Sequence, residues 1–127
     1  MRILRSVLAV LVGYLMAAFT AGAIGAMLFS AEATPPLVLR LLPGLFFLIV
    51  GGLAAGFLAA AIAGWAPLEH AVAVAALATV AGLMALADQS APEPGWFLLL
   101  GTALEAPAVL LGGVITSPKK RPAEEGP

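Results

Sequence analysis

Apolar residues gather into four blocks, Ile3–Leu28, Leu45–Ala63, Ala71–Ala87 and Trp96–Ile115, divided by short polar stretches. Each block runs about 17–26 residues, the length an α-helix needs to cross a hydrocarbon core of ~30 Å. Backbone N–H and C=O groups find no partner in lipid, so a helix, which satisfies its own, is the expected form. The pattern predicts an all-α fold, a four-helix transmembrane bundle with helices over about 3–29, 43–64, 68–87 and 96–116. The polar, proline-containing residues 117–127 read as a disordered tail on the cytoplasmic side.

The polar punctuation refines these limits. Ser30–Pro36 is a turn-forming stretch, and Leu37–Leu42 leads through Arg40 to Pro43-Gly44. Either the second helix starts early with Arg40 reaching for the surface, or a short interfacial helix bends at Pro43. Gly64 can end the second helix, and Pro67 suits the first turn of the third. Glu69 then lies at the positive end of that helix's dipole. Asp88–Gly95, with Pro92 and Pro94, separates the last two helices.

Composition agrees with the pattern. Hydrophobic residues make up 62% of the chain and charged residues 10%, and the mean hydropathy is +1.09. About ten residues per connection leave no room for a separate soluble domain. The net charge of −1 gives no reason to expect a nucleic-acid partner. Absence of cysteine excludes disulfides, thiolate catalysis and cysteine metal sites. The single histidine, His70, cannot hold a metal unaided. No Ser/His/Asp arrangement, intramembrane carboxylate pair or phosphate-cradling loop is present, so no catalytic residue, cofactor or metal site is expected.

Charge placement orients the chain. Arg2, Arg5, Lys119, Lys120 and Arg121 fall on the side of the termini after four crossings, and Arg40 alone falls opposite. Lys and Arg resist translocation, so both termini are expected in the cytosol and the protein in the cytoplasmic membrane. Glu32, Asp88 and Glu93 then occupy outer loops, and Trp65 and Trp96 mark the interfaces. Arg2 and Arg5 before an apolar run, with Ala31-Glu32-Ala33 beyond it, also suit a signal peptide. The run is longer than a signal core of about 7–15 residues, which favours a retained helix.

Lipid tails are as apolar as leucine, so spanning helices associate by close packing at small residues. Each block carries a stripe of them. They are Gly13, Ala17, Ala21 and Gly25 in the first, and Gly52, Gly56, Ala60 and Gly64 in the second. The third has Ala71, Ala75, Ala78, Gly82 and Ala85, and the fourth has Gly101, Ala108 and Gly112.

Glu105 is the one charge near the middle of a block. Its spacing from Gly101, Ala108 and Gly112 turns it toward protein, where an ionised carboxyl costs a few kcal/mol. Tyr14 and Thr79 fall at similar depth, and Thr102 lies one turn away. Pro107 removes the donor to the Ala103 carbonyl, so a protonated Glu105 could donate there or to a hydroxyl on a facing helix. Two roles follow: a hydrogen-bonding pin between helices or subunits, or a proton- or cation-binding carboxyl in transport. Glu69 and His70 read as capping or interfacial residues, and Lys119–Arg121 as a cluster drawn to anionic lipid.

Gly51–Gly56 through Ala63-Gly64, Pro67–Ala71, Pro94–Phe97 and Pro107–Gly113 resemble a loose group of uncharacterised small bacterial membrane proteins with four spanning helices. The resemblance covers about residues 45–115 and implies a bacterial cytoplasmic membrane and no established activity. Glu105 is not part of it. Small multidrug exporters and fluoride channels share the size and helix count. The exporters' membrane carboxyl belongs to their first helix, however, and both families work as antiparallel dimers. Five basic residues against one fit a single orientation instead.

The function expected is a non-catalytic accessory or scaffold protein in the bilayer, alone, as a homo-oligomer or within a larger membrane complex. The alternative is a small transporter or channel component using Glu105. Topology is directly measurable. In cysteine-labelling scans, positions in the Lys119–Arg121 cluster should react with an impermeant reagent only after the membrane is opened.

Overall fold

The computed structural model describes residues 1–30, 36–88, 90 and 93–117. Four helices follow one another: α1 (Arg2–Phe29), α2 (Leu37–Ala63), α3 (Pro67–Ala87) and α4 (Gly95–Thr116). All four are long and apolar enough to cross a membrane. The Ala31–Ala33 site, Glu32, Pro92 and the tail with Lys119, Lys120 and Arg121 lie outside the described residues.

The helices alternate in direction. Around the bundle the order is α1, α2, α4, α3, so α1 and α4 are diagonal and barely touch. One end carries Met1, the α2–α3 hairpin and Thr116. The other, the loop end, carries Phe29, Leu37, Ala87 and Gly95. The four neighbours are unequally close: α2 packs tightly on α1 and α4, and α1 meets α3 most loosely.

Of the two readings of Leu37–Leu42 the early start is the one observed: α2 begins at Leu37, which corrects the bound at residue 43, and runs through Pro43. Proline at this point, less than two turns from the helix start, removes the bond to the Leu39 carbonyl. Tertiary contacts hold the preceding turns. Arg40 Nη1 donates to the carbonyls of Met27 (3.1 Å) and Leu28 (2.5 Å). A guanidinium thus satisfies the carboxyl end of α1, where the helix dipole favours positive charge. Leu37, Leu41 and Leu45 also pack against a buried cluster of Ile24, Leu28, Leu48 and Phe97. Arg40 is a cap between helices as well as a surface-seeking charge.

Arg5 repeats the device at the opposite end. Its Nε donates to the Ile62 carbonyl in the last turn of α2. Gly64 then breaks the helix with φ 70°. Ala66 follows with φ 43°, a left-handed conformation that costs an alanine roughly 1–2 kcal/mol. The Ala66 carbonyl is held by the His70 N–H (3.3 Å) and by His70 Nδ1 (2.8 Å), which fixes the hairpin. Trp65 stacks edge-on against His70 at 5.3 Å, and Arg2 lies 5.8 Å from the Trp65 ring.

Residue sizes are distributed inside-out relative to a soluble bundle. The centre is Ala17, Ala55, Ala59, Ala71 and Ala75 around Val74 and Val109. Leu11, Leu15, Phe19, Phe46, Phe47, Leu83, Leu99 and Ile115 all face outward. So large an exposed apolar belt suits a surface that meets lipid or another protein.

Glycine sets the approach of α2 to α4. A Cβ on Gly56 would collide with the Val109 carbonyl, and one on Gly112 with the Leu53 carbonyl. One on Gly52 would stand 2.9 Å from Ala108 Cβ. Gly13 sits as tightly, its would-be Cβ 2.9 Å from both Ala59 of α2 and Val74 of α3. Gly82 receives Thr102, whereas Gly101 makes only ordinary contact with Leu48 at 3.5 Å. Two of the expected packing glycines do other work. Gly64 lies beyond the helix as its left-handed cap, facing Arg5, and Gly25 meets the Glu93 side chain rather than a helix. Gly44 (against Leu28), Gly51 (against Thr20) and Gly113 (against Ala71) join the packing set.

Replacing Gly56 by alanine should force α2 from α4 and cost about 1–3 kcal/mol in unfolding experiments in detergent micelles. Gly22 has nothing within 4 Å of its would-be Cβ. Gly22→Ala should therefore be neutral, or stabilising by about 0.5–1 kcal/mol through helix propensity.

Candidate functional site

Where α1 and α3 part, a cavity of about 230 Å³ occupies the loop-end half of the bundle. Its α1 wall is Tyr14, Ala18, Ala21 and Gly22, and its α3 wall is Ala78, Ala81, Gly82 and Ala85. α4 forms the base with Phe97, Leu98, Gly101, Thr102 and Glu105, and Leu48 of α2 completes it. Ala18 and Gly22 are exposed, so the cavity opens sideways between the two helices.

Glu105 lies ten residues into α4, about 15 Å of helix from Gly95. Its side chain is only 8% exposed, yet Oε1 has no hydrogen-bond partner among the described residues. The expected bond from Glu105 to the Ala103 carbonyl or to a facing hydroxyl is therefore not made by that oxygen. α4 continues unbroken through Pro107. A buried polar atom left without a partner costs roughly 1–3 kcal/mol.

Tyr14, Thr102 and Glu105 are brought together on the cavity wall, and Thr79 is not. Thr79 Oγ1 donates to the Ala75 carbonyl of its own helix at 2.8 Å. Thr102 does likewise to Leu98 at 2.8 Å, which leaves its oxygen only as an acceptor. Below Tyr14 and Glu105 the bundle closes. Gly13 lies against Val74, Gly113 against Ala71, and Val74 and Val109 are fully buried.

Sequence reasoning placed Glu93 in an outer loop and missed its part here. The Glu93 carboxyl folds inward, with Oε1 lying where a Cβ on Gly25 would stand. It lines the cavity with Glu105. The signal was present in the spacing: Glu93, Phe97, Gly101 and Glu105 recur every four residues, which aligns them on one face. The loop entering this segment is braced by Asp88, whose Oδ1 accepts from the Ser90 N–H (3.0 Å) and hydroxyl (2.7 Å). Those bonds hold the Asp88 carboxyl below the usual carboxylate range.

Among the described residues, the lining contains two carboxyl groups and no basic side chain. No group of three or more potential metal ligands occurs among the described residues. Compared with known proteins, the chain matches no family model, no curated protein and no solved structure. The site's chemistry thus rests on its own residues.

A pin and a binding carboxyl differ in their effect on stability. With no bond to lose at Oε1, Glu105→Leu should leave the unfolding free energy in micelles unchanged or raise it by about 1–3 kcal/mol. A hydrogen-bonding pin would instead lose about 1 kcal/mol.

Proposed function

We propose that this chain is a multi-pass protein of the bacterial cytoplasmic membrane with both termini in the cytosol. Within it, the four-helix unit acts as a small transporter or channel component that loads a proton or cation on Glu105. The bilayer is its solvent, and it works alone, as a homo-oligomer or inside a larger membrane complex. One observation carries the reading: a carboxyl oxygen buried at mid-helix is unpartnered on the wall of a cavity. Intramembrane carboxyls of this kind mark ion and proton pathways. The excess of basic residues at the terminal end supports the orientation, which turns Glu93 and the cavity's loop end outward.

A second reading, a non-catalytic accessory or scaffold protein, draws on the sealed terminal half of the bundle. Packing around Gly13, Val74 and Val109 leaves no continuation of the cavity toward the termini. As transporter, the chain would have to part these contacts during its cycle. As accessory, it never would.

Reconstituted vesicles separate the two. Glu105→Gln keeps the size of the side chain and removes its titration. Transport predicts a proton-coupled flux in the wild type that falls to the protein-free background in the variant. Absence of flux from folded wild-type protein, with a defined membrane partner retained through purification, would select the accessory role.

A further inference from the structure

We propose that the cavity between α1 and α3 is a binding site for a small lipophilic ammonium cation, with Glu105 as its counter-charge. The proposal deepens the transport reading and rests on its assignment of Glu105 as the loading group. Sign comes first. Glu93 and Glu105 line the cavity, and among the described residues no Lys, Arg or His stands on its wall. Glu105 is more than nine-tenths buried, with Oε1 lacking a partner, so a ligand that leaves it unpaired gains little. An anion is repelled, and a neutral hydrocarbon leaves the oxygen unsatisfied.

The remaining wall selects among cations. Hard metal ions need about six oxygen ligands. Apart from the two carboxyls, only the hydroxyls of Tyr14 and Thr102 offer side-chain oxygens here among the described residues. An ammonium group with apolar substituents suits these surroundings better. Its charge meets Glu105, its carbon surface meets Ala18, Ala21, Ala78 and Ala81, and the rings of Tyr14 and Phe97 can attract the cation.

Volume and access narrow the class further. A dry cavity of about 150 Å³ holds benzene, so about 230 Å³ holds roughly nine or ten non-hydrogen atoms. That is smaller than most drug-sized ligands. Exposed Ala18 and Gly22 place the opening on the flank of the bundle, between two helices long enough to span lipid. A cation with an apolar body can partition into the bilayer and enter from the side.

Phenyltrimethylammonium has the required size and a permanent charge. tert-Butylbenzene has the same shape and no charge. Equilibrium binding of radiolabelled phenyltrimethylammonium to the full chain in lipid nanodiscs should saturate at one site per chain. Unlabelled tert-butylbenzene should not displace it. Glu105→Gln should weaken binding about 10- to 100-fold, the range for losing a charged partner. Gly22→Leu supplies an independent test, since its new side chain meets no atom within 4 Å at Cβ and projects beside the cavity. It should weaken binding by about tenfold or more through exclusion, with the unfolding temperature preserved. No saturable binding at millimolar concentration, equal binding by folded Glu105→Gln, or equal displacement by the neutral isostere would each overturn the proposal. Flux that depends on Glu105 without ammonium binding would refute this ligand class and leave transport standing. Glu105-dependent binding without flux would uphold the site and refute transport.

Discussion

The close approach of α2 to α4 is the constraint on which the rest of the bundle depends. In lipid, helices gain little from hiding apolar side chains from one another, and the attraction left to them is close contact. Gly52, Gly56 and Gly112 remove the side chains that would hold these two parallel helices apart. The main chain of α4 at Val109 and Gly113 then rests against Gly56. Once α2 and α4 are joined, α1 is set by Gly13 and Gly51 on α2, and α3 by Gly82 and Gly113 against α4.

Two arginines complete this frame by the same chemistry. Each reaches across to the carboxyl end of another helix, Arg40 to α1 and Arg5 to α2. Exposed carbonyls at a helix end are costly in or near lipid, and a guanidinium satisfies them while complementing the dipole. The connections are thereby tied down at opposite ends of the bundle. The left-handed Ala66 survives because His70 and the Gly64 cap hold the turn around it.

The cavity is a consequence of unequal packing. Ala18, Ala21 and Gly22 on α1 face Ala78, Ala81, Gly82 and Ala85 on α3, two sets small enough to close on each other. They stay apart in the loop-end half, where the Glu93 side chain lies on Gly25 and Phe97 joins the cluster around Leu28. In the terminal half, Gly13 lets α1 reach Val74, and the gap is gone. Glu105 sits at the boundary between the open and sealed halves.

Hydrophobic runs about as long as a hydrocarbon core is thick, with few charges, admit essentially one local conformation in lipid. The existence and number of the four helices were therefore legible residue by residue, as was the inward-facing register of Glu105 from Gly101, Ala108 and Gly112. Local signals also misled at particular points. Pro43 left two starts open for α2, and Arg40 and the leucines before it extend the helix through contacts made only in the folded bundle. Gly25 looked like one more packing glycine, although what fills its place is a carboxyl from a distant loop. Thr79 matched Glu105 in depth and yet turns elsewhere, because depth along a helix says nothing of its rotation against a neighbour. Which helices touch, and which pair stays open, is a matter of atoms far apart in the chain. Periodicity governs each helix alone, whereas the cavity was decided by steric fit among all four.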